Sequence, residues 1–341
     1  MKIAVALNLT QSQEALLREA SGGAEIVKYG QRPRPVNRFP MEMADKLADC
    51  DALACYVVPK DLPKLAPRLK FVQTMFAGAE SALADEATAQ SGLPIATVSG
   101  AHADNIGEYV IMSMLAFAHR LHACIRAQIR HEWLPISAFN ESVTTMRGRT
   151  LGIVGYGSLG RSLARFAQGF GLKILALKRN PAEHRDAGWC APGSGDPEGM
   201  IPQAWFGPEQ RLELLARSDF IALTLPLTPA TRNFIGAREL AAMKPGAYLV
   251  NVGRGGLIDQ DALTHALANG PLGGAGLDVM IPEPLDAGSP LWDMDNVLLT
   301  PHISGAHIEY LDRAFQIFAE NLRRFRSGRA LVNLVDRAAG Y

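Results

Sequence analysis

The string Gly155-Tyr156-Gly157-Ser158-Leu159-Gly160 restricts the folds open to this chain more than any other six residues. It follows an apolar run at 151–154 that reads as a strand, and it leads into an amphipathic helical pattern over 159–170. Its three glycines answer three different needs. Gly155 permits a tight strand-to-helix turn, Gly157 lets the backbone approach a diphosphate, and Gly160 lets helix and strand close on each other. The N–H groups of Ser158 and Leu159 would face that anion from the helix N-terminus. A turn of this kind belongs in a βα unit of a mainly parallel sheet, at the strand ends where a dinucleotide binds.

The rest of the chain fits that expectation. Apolar runs alternate with helical patterns nearly throughout, as in βα repetition. Strands are expected at 2–7, 52–58, 70–75 and 94–98, with helical segments at 11–19 and 41–47 and a three-proline loop at 32–40. Six further strands are expected at 151–154, 173–177, 220–225, 247–252, 274–279 and 297–299, interrupted by a long Pro- and Gly-rich loop at 181–208. A helical pattern over 105–129 carries Ile106, Val110, Met114, Phe117 and Leu121 on one face, with Asp104 as its N-cap. It would take the chain into a second domain. The pattern Ile308, Leu311, Phe315, Phe318 and Leu322 would bring it back. The expected fold is therefore α/β with two doubly wound domains. A Rossmann dinucleotide-binding domain (101–304) is inserted into a flavodoxin-like substrate domain built from 1–100 and 305–341. Two consecutive domains are the alternative.

Lys+Arg and Asp+Glu both number 34, so nothing global points to nucleic acid or an anionic membrane. Residues 1–9 are too short and too weakly charged for a signal peptide and read as a first strand. Cys50, Cys55, Cys124 and Cys190 show neither C-x-x-C nor metal-ligand spacing. They are expected to be free, mostly buried thiols in a cytoplasmic protein without a metal.

Three residues with complementary chemistry each follow a strand: Arg254 in Asn251-Val252-Gly253-Arg254, Glu283 in Ile281-Pro282-Glu283-Pro284, and His302 in Thr300-Pro301-His302. A guanidinium can fork onto a carboxylate and a neighbouring carbonyl oxygen. An imidazole can give that oxygen a proton. A carboxylate on the far ring nitrogen would orient the imidazole and favour its protonated form. Beside a dinucleotide site, this set implies hydride transfer to the carbonyl of an anionic substrate. At the end of the second strand, where NAD sites usually place an acid, stand Lys178-Arg179-Asn180. Two cations there would attract a 2′-phosphate, so NADP(H) is expected over NAD(H).

From about residue 52 onward the chain resembles the D-isomer-specific 2-hydroxyacid dehydrogenases, and most of all their glyoxylate/hydroxypyruvate reductase branch. The glycine string, Ser218-Asp219, Leu225 to Arg232, Met243 to Ala247, Asn251 to Gly256, Gly276 to Pro284 and Thr300 to Gly305 carry the resemblance. It implies Arg254, Glu283 and His302 as catalytic residues and a small 2-oxo acid as substrate, reduced to a D-2-hydroxy acid. It places Pro226, Thr231, Val252, Gly253 and Asp278 around the nicotinamide, with Asp278 accepting from the carboxamide. It also implies a substrate-carboxylate loop at Ala77, Gly78 and Ala79, where this chain has Glu80 in place of the family's usual Asp. A homodimer through the cofactor domain, with 105–129 at the interface, follows from the same resemblance. Alternatives on the same scaffold are a phosphite-type dehydrogenase and a non-catalytic dinucleotide-sensing corepressor-like protein. For the latter, the chain's start at its first strand and its end soon after its last helix leave little room for partner-binding tails.

Overall fold

The computed structural model describes residues 1–29, 39–79, 82–140 and 142–340. The proline-rich stretch 32–38 and Glu80 lie outside them. The described chain forms two compact units. One comprises Met1–His102, Ala187–Trp189 and His307–Tyr341, and the other Ala103–Asp186 and Cys190–Ala306.

Parallel strands covered on both faces need short, continuously apolar segments, and this sequence supplies them. In the first unit β1 (Lys2–Val5), β2 (Glu25–Lys28), β3 (Ala52–Cys55), β4 (Phe71–Thr74) and β5 (Ile95–Ala96) form one sheet. Its order is β2-β1-β3-β4-β5 with every pairing parallel, the flavodoxin-like arrangement. Helices Gln11–Ser21 and Tyr310–Arg326 cover one face, burying Leu17, Phe315, Phe318 and Leu322 against Ile3, Val5 and Phe71. Thr10 and Gln13 close the first helix with a capping box. Trp189 belongs to this unit: its N–H donates to Asn333 Oδ1 at 3.0 Å. Its carbonyl fills the space where a side chain on Gly100 would stand.

The second unit holds β6 (Thr150–Val154), β7 (Lys173–Leu177), β8 (Ala204–Phe206), β9 (Phe220–Leu223), β10 (Tyr248–Asn251), β11 (Gly274–Leu277) and β12 (Val297–Leu299). Their order is β12-β11-β10-β9-β6-β7-β8, again all parallel. This is the Rossmann order extended by one strand, and it reverses direction between β6 and β9. Helix Ala103–Ala118 crosses the sheet closely, because Gly276 and Gly274 leave room for Ser113 and Phe117. Gly107 does the same for Phe166 of the helix Ser158–Gly169.

Four sequence expectations need correction. The single helix at 105–129 is two, Ala103–Ala118 and Leu121–Ile129, broken where Arg120 adopts a left-handed φ of 56°. No glycine or proline announces the break; the Thr144 N–H takes the Ala118 carbonyl at 2.9 Å and ends the first helix. Asp104 lies inside that helix rather than at its cap, and accepts from the Ser162 and Ser194 hydroxyls. The stretch 181–208 is not all loop, since β8 pairs with β7 at the sheet edge and makes seven strands instead of six. β2, with a charged residue at each end, was not expected as a strand.

The cysteines are free, but only Cys50 and Cys55 are buried, whereas Cys124 and Cys190 are exposed. Burial pushes the Cys50 thiol up to about 11 and raises Cys55 and Cys190 as well. A thiol-reactive chromophore at pH 8 is therefore expected to label Cys124 first, Cys190 more slowly, and the other two only after denaturation. Rapid labelling of Cys55 in the native protein would contradict this packing.

Candidate active site

In the second unit β10, β11 and β12 are adjacent, parallel and in register, so their carboxyl ends share one edge of the sheet. Arg254, Glu283 and His302 stand on the turns that follow these three strands. Two local constraints hold the turns together. Gly255 lies against the Met280 backbone, where a Cβ would approach the Met280 carbonyl oxygen to 2.1 Å, so only glycine lets the two turns meet. The Asp278 N–H donates to the Asn251 carbonyl at 3.1 Å, and the His302 N–H to the Asp278 carbonyl at 2.9 Å.

Glu283 and His302 are in direct contact. The imidazole Nδ1 lies 2.8 Å from Glu283 Oε2, while Oε1 accepts the Met280 N–H at 3.1 Å. A carboxylate only accepts, so Nδ1 carries a proton and Nε2 is the nitrogen left for exchange with a substrate. His302 has a left-handed φ of 54°, uncommon for a residue with a side chain. The turn is fixed from beneath by Asp278, which is fully buried. Its carboxylate accepts from the Thr300 hydroxyl at 2.7 Å and from the Ile303 and Ser304 N–H groups at 2.8 and 2.9 Å. Since the Thr300 proton goes to Asp278, the Tyr109 hydroxyl 2.5 Å away must donate to Thr300. Asn105 Nδ2 adds a bond to the Ser304 carbonyl. Besides its expected place at the carboxamide, Asp278 holds the turn that carries His302, a role no spacing in the sequence reveals.

Arg254 is half-buried on an extended backbone, and its Nη1 donates to the Gly253 carbonyl at 2.8 Å. Asn251 braces the turn, its amide donating to the Arg254 carbonyl and its carbonyl accepting the Gly253 N–H. Gly253 packs against Leu257 and the Leu225 carbonyl, and Val252 is buried. The Thr231 hydroxyl closes its own loop, donating to the Pro226 carbonyl and accepting the Thr228 N–H, both at 2.7 Å. Gln260, which sequence reasoning missed, clamps the Ile281 peptide with bonds of 2.7 and 3.0 Å and steadies the turn before Glu283.

The glycine string has the shape a dinucleotide requires. Gly155 has φ +108°, and a side chain there would strike the 224–225 backbone. One on Gly160 would come within 2.5 Å of the Gly155 carbonyl oxygen, whereas one on Gly157 would meet no atom of the described residues within 4 Å. The helix Ser158–Gly169 starts at Gly157 without a side-chain cap, and Leu159 lies in its first turn. Tight packing at two glycines and open space at the third suit the approach of a diphosphate to the helix N-terminus. Beyond β7, Lys178 is half-buried with its ammonium on the Glu183 carbonyl at 2.5 Å, and Arg179 is exposed. Ala77, Gly78 and Ala79 follow β4 in the first unit, where Ala77 is exposed and Ala79 buried. No helix among the described residues is long and apolar enough to cross a membrane.

Comparison with known proteins agrees with this geometry. Residues 111–304 match the family model for the NAD-binding domain of D-isomer specific 2-hydroxyacid dehydrogenases. The chain is 33% identical to a glyoxylate reductase of Thermococcus litoralis, over 86% of each protein. Among solved structures it resembles a D-isomer specific 2-hydroxyacid dehydrogenase from Xanthobacter autotrophicus in complex with NADPH and MES, with TM-score 0.77, 27% identity, and coverage of 100% of this chain and 99% of that one. It also resembles an NADPH-dependent glyoxylate/hydroxypyruvate reductase from Sinorhizobium meliloti in complex with NADP and sulfate, with TM-score 0.76, 28% identity and the same coverage. A nicotinamide-nucleotide fold with these relatives is an oxidoreductase, and the chain belongs to the D-isomer specific 2-hydroxyacid dehydrogenase family.

Proposed function

We propose that this enzyme reduces a small 2-oxo acid of the glyoxylate or hydroxypyruvate type to a 2-hydroxy acid, of D configuration where the product is chiral, with NADPH preferred over NADH. The observation that carries the reading is the 2.8 Å contact between His302 and Glu283 on strand ends shared with Arg254. The reduced cofactor, when bound, supplies the hydride that reaches the carbonyl carbon. His302 gives the proton held on Nε2 to the carbonyl oxygen and takes it back in the oxidative direction. Glu283 keeps the ring in the tautomer and orientation this transfer needs. Arg254 binds the carboxylate and the carbonyl oxygen, where its permanent charge stabilises negative charge as it develops. Backbone N–H groups of Ala77, Gly78 and Ala79 are the proposed second anchor for the carboxylate.

The phosphate cradle is proposed as Gly155, Gly157, Ser158, Leu159 and Gly160, with Lys178 and Arg179 taking the 2′-phosphate. Pro226, Thr231, Val252 and Gly253 are proposed to shape the nicotinamide end. NADPH and NADP in the two similar structures support the cofactor choice. A homodimer is part of the reading. Leu121, Ile125 and Ile129 recur at helical spacing along one exposed face, followed by Trp133, 98% exposed, and Ile136, 80% exposed. Exposed apolar side chains grouped in this way support the proposed interface. The helix 103–118, by contrast, is mostly buried, so the proposed contact lies further along the chain than the 105–129 expectation placed it.

Three measurements test this. Oxidation of NADPH at 340 nm in the presence of glyoxylate or hydroxypyruvate should be lost by roughly 10²- to 10⁴-fold in His302→Ala. Glu283→Gln, whose amide can hold the wrong tautomer, should lose at least about tenfold in kcat; undiminished turnover in both variants would remove the proposed acid. Lys178→Asp should lower the NADPH-over-NADH ratio in kcat/KM by roughly 10- to 100-fold, the worth of a charge-assisted hydrogen bond. An unchanged ratio would refute the phosphate role. Light scattering should give a dimer for the native chain and a monomer for Ile125→Glu/Trp133→Glu, and a monomeric native chain would end the dimer proposal.

A further inference from the structure

The loop after β7 is bonded to the glycine turn by one buried cation. Arg161 follows the third glycine of the string, on the helix Ser158–Gly169, and is 3% exposed. Its guanidinium lies 5.0 Å over the Tyr156 ring and donates to the His184 carbonyl at 2.7 Å and to the Asp196 carbonyl. It also forms an ion pair with Asp186 at 3.2 Å. Tyr156, which stands between the first two glycines, donates its hydroxyl to Asp196 at 2.9 Å. The Asp196 carboxylate accepts in addition the N–H groups of Met200 and Ile201. Arg165, one helical turn on, adds a bond to the Gly195 carbonyl. A segment rich in proline and glycine is thus held in one conformation by side chains from the phosphate-binding turn and its helix.

The residue next to His184 is Glu183, whose carbonyl holds the Lys178 ammonium. We propose that Arg161 is a positioning residue for cofactor choice: by fixing the His184 and Asp196 carbonyls it sets Glu183, and through it Lys178, at the 2′-phosphate end of the nucleotide site. This inference rests on the NADPH reading above. An ammonium has three donors and Glu183 uses one, so two remain for phosphate oxygens. Burial, and secondly the positive charge of Arg161, hold the Lys178 ammonium below the usual lysine range. A phosphate dianion at that point would favour the charged ammonium and so oppose the shift. Without Arg161, Lys178 would keep its charge but lose its fixed place, and ordering it would oppose binding.

The test uses half-cofactors, so that turnover plays no part. Dissociation constants for 2′,5′-ADP and 5′-AMP would be measured by calorimetry on the full chain, with limited proteolysis of the 181–201 loop in parallel. The native protein should prefer 2′,5′-ADP, and Lys178→Met should abolish that preference. Arg161→Met should weaken 2′,5′-ADP by roughly tenfold, the loss of one well-placed charge-assisted hydrogen bond, while 5′-AMP holds and the loop is cut faster. Arg161→Lys should recover part of the loss. Tyr156→Phe, an isosteric and neutral change that frees the loop at Asp196, should shift 2′,5′-ADP in the same direction by a smaller factor, and decides the matter if Arg161→Met does not fold. Equal binding of both nucleotides by the native protein would overturn the NADPH reading itself. A native preference that survives in Arg161→Met, or parallel weakening of both nucleotides, would overturn the positioning role alone.

Discussion

A charge buried without water is tolerated only where hydrogen bonds replace its hydration, and Asp278 meets that condition beneath the His302 turn. Its carboxylate is closed off from solvent and takes three donors from a single short turn. Two of those donors are backbone N–H groups directly after His302, so satisfying the buried charge fixes the path of the chain through the histidine. The left-handed backbone at His302 is stable on those terms, because the surrounding bonds leave the turn few other conformations. The imidazole then meets Glu283 without the pair having to organise each other in solvent. Tyr109 and Asn105 extend the same support to the helix that begins at Ala103, which ties the position of His302 to the packing of the domain.

Close approach is the second theme, and glycine is its means. In the strands and turns of the cofactor unit, Gly255 admits the Met280 backbone, Gly160 admits the Gly155 carbonyl, and Gly276 admits Ser113. Gly157 differs, since among the described residues no atom lies within 4 Å of where its side chain would stand. Within the string, the tight packing at Gly155 and Gly160 sets off the open space at Gly157. The cradle is shaped as much by what presses on its neighbours as by the residue left bare.

Much of this was readable in the sequence, for definite physical reasons. Central parallel strands are buried on both faces, so they appear as continuous apolar runs such as Phe220 to Leu223 and Tyr248 to Asn251. The glycine string and the three strand-end residues are local patterns whose meaning depends on neighbours in sequence. What escaped notice was set by distant partners. β2 and β8 are short edge strands whose pairing comes from β1 and β7 rather than from their own composition. The break at Arg120 is enforced by Thr144, more than twenty positions on. Asp278 reads as an ordinary strand-end acid until Thr300, Ile303 and Ser304 are brought to it. Arg161 reads as one more helical arginine until the loop folds over it. Lys178 and Arg179 were visible as charges, but the carbonyl that holds Lys178 was not.

The membership of Ala187–Trp189 in the first unit bears on how this protein could be taken apart. An inserted domain is ordinarily joined to its host at two points, so that cutting both yields a contiguous, portable module. Here the chain passes from one unit to the other four times, with boundaries after 102, 186, 189 and 306. A fragment spanning 103–306 would therefore carry away a piece of the other core. Excised, it would expose the half-buried Trp189 indole and leave Asn333 Oδ1 and the niche at Gly100 unfilled in the remainder. Replacing the cofactor unit of this enzyme is thus an exchange of two segments across four junctions, 103–186 and 190–306, and a chimera drawn at two junctions begins with a mismatched core.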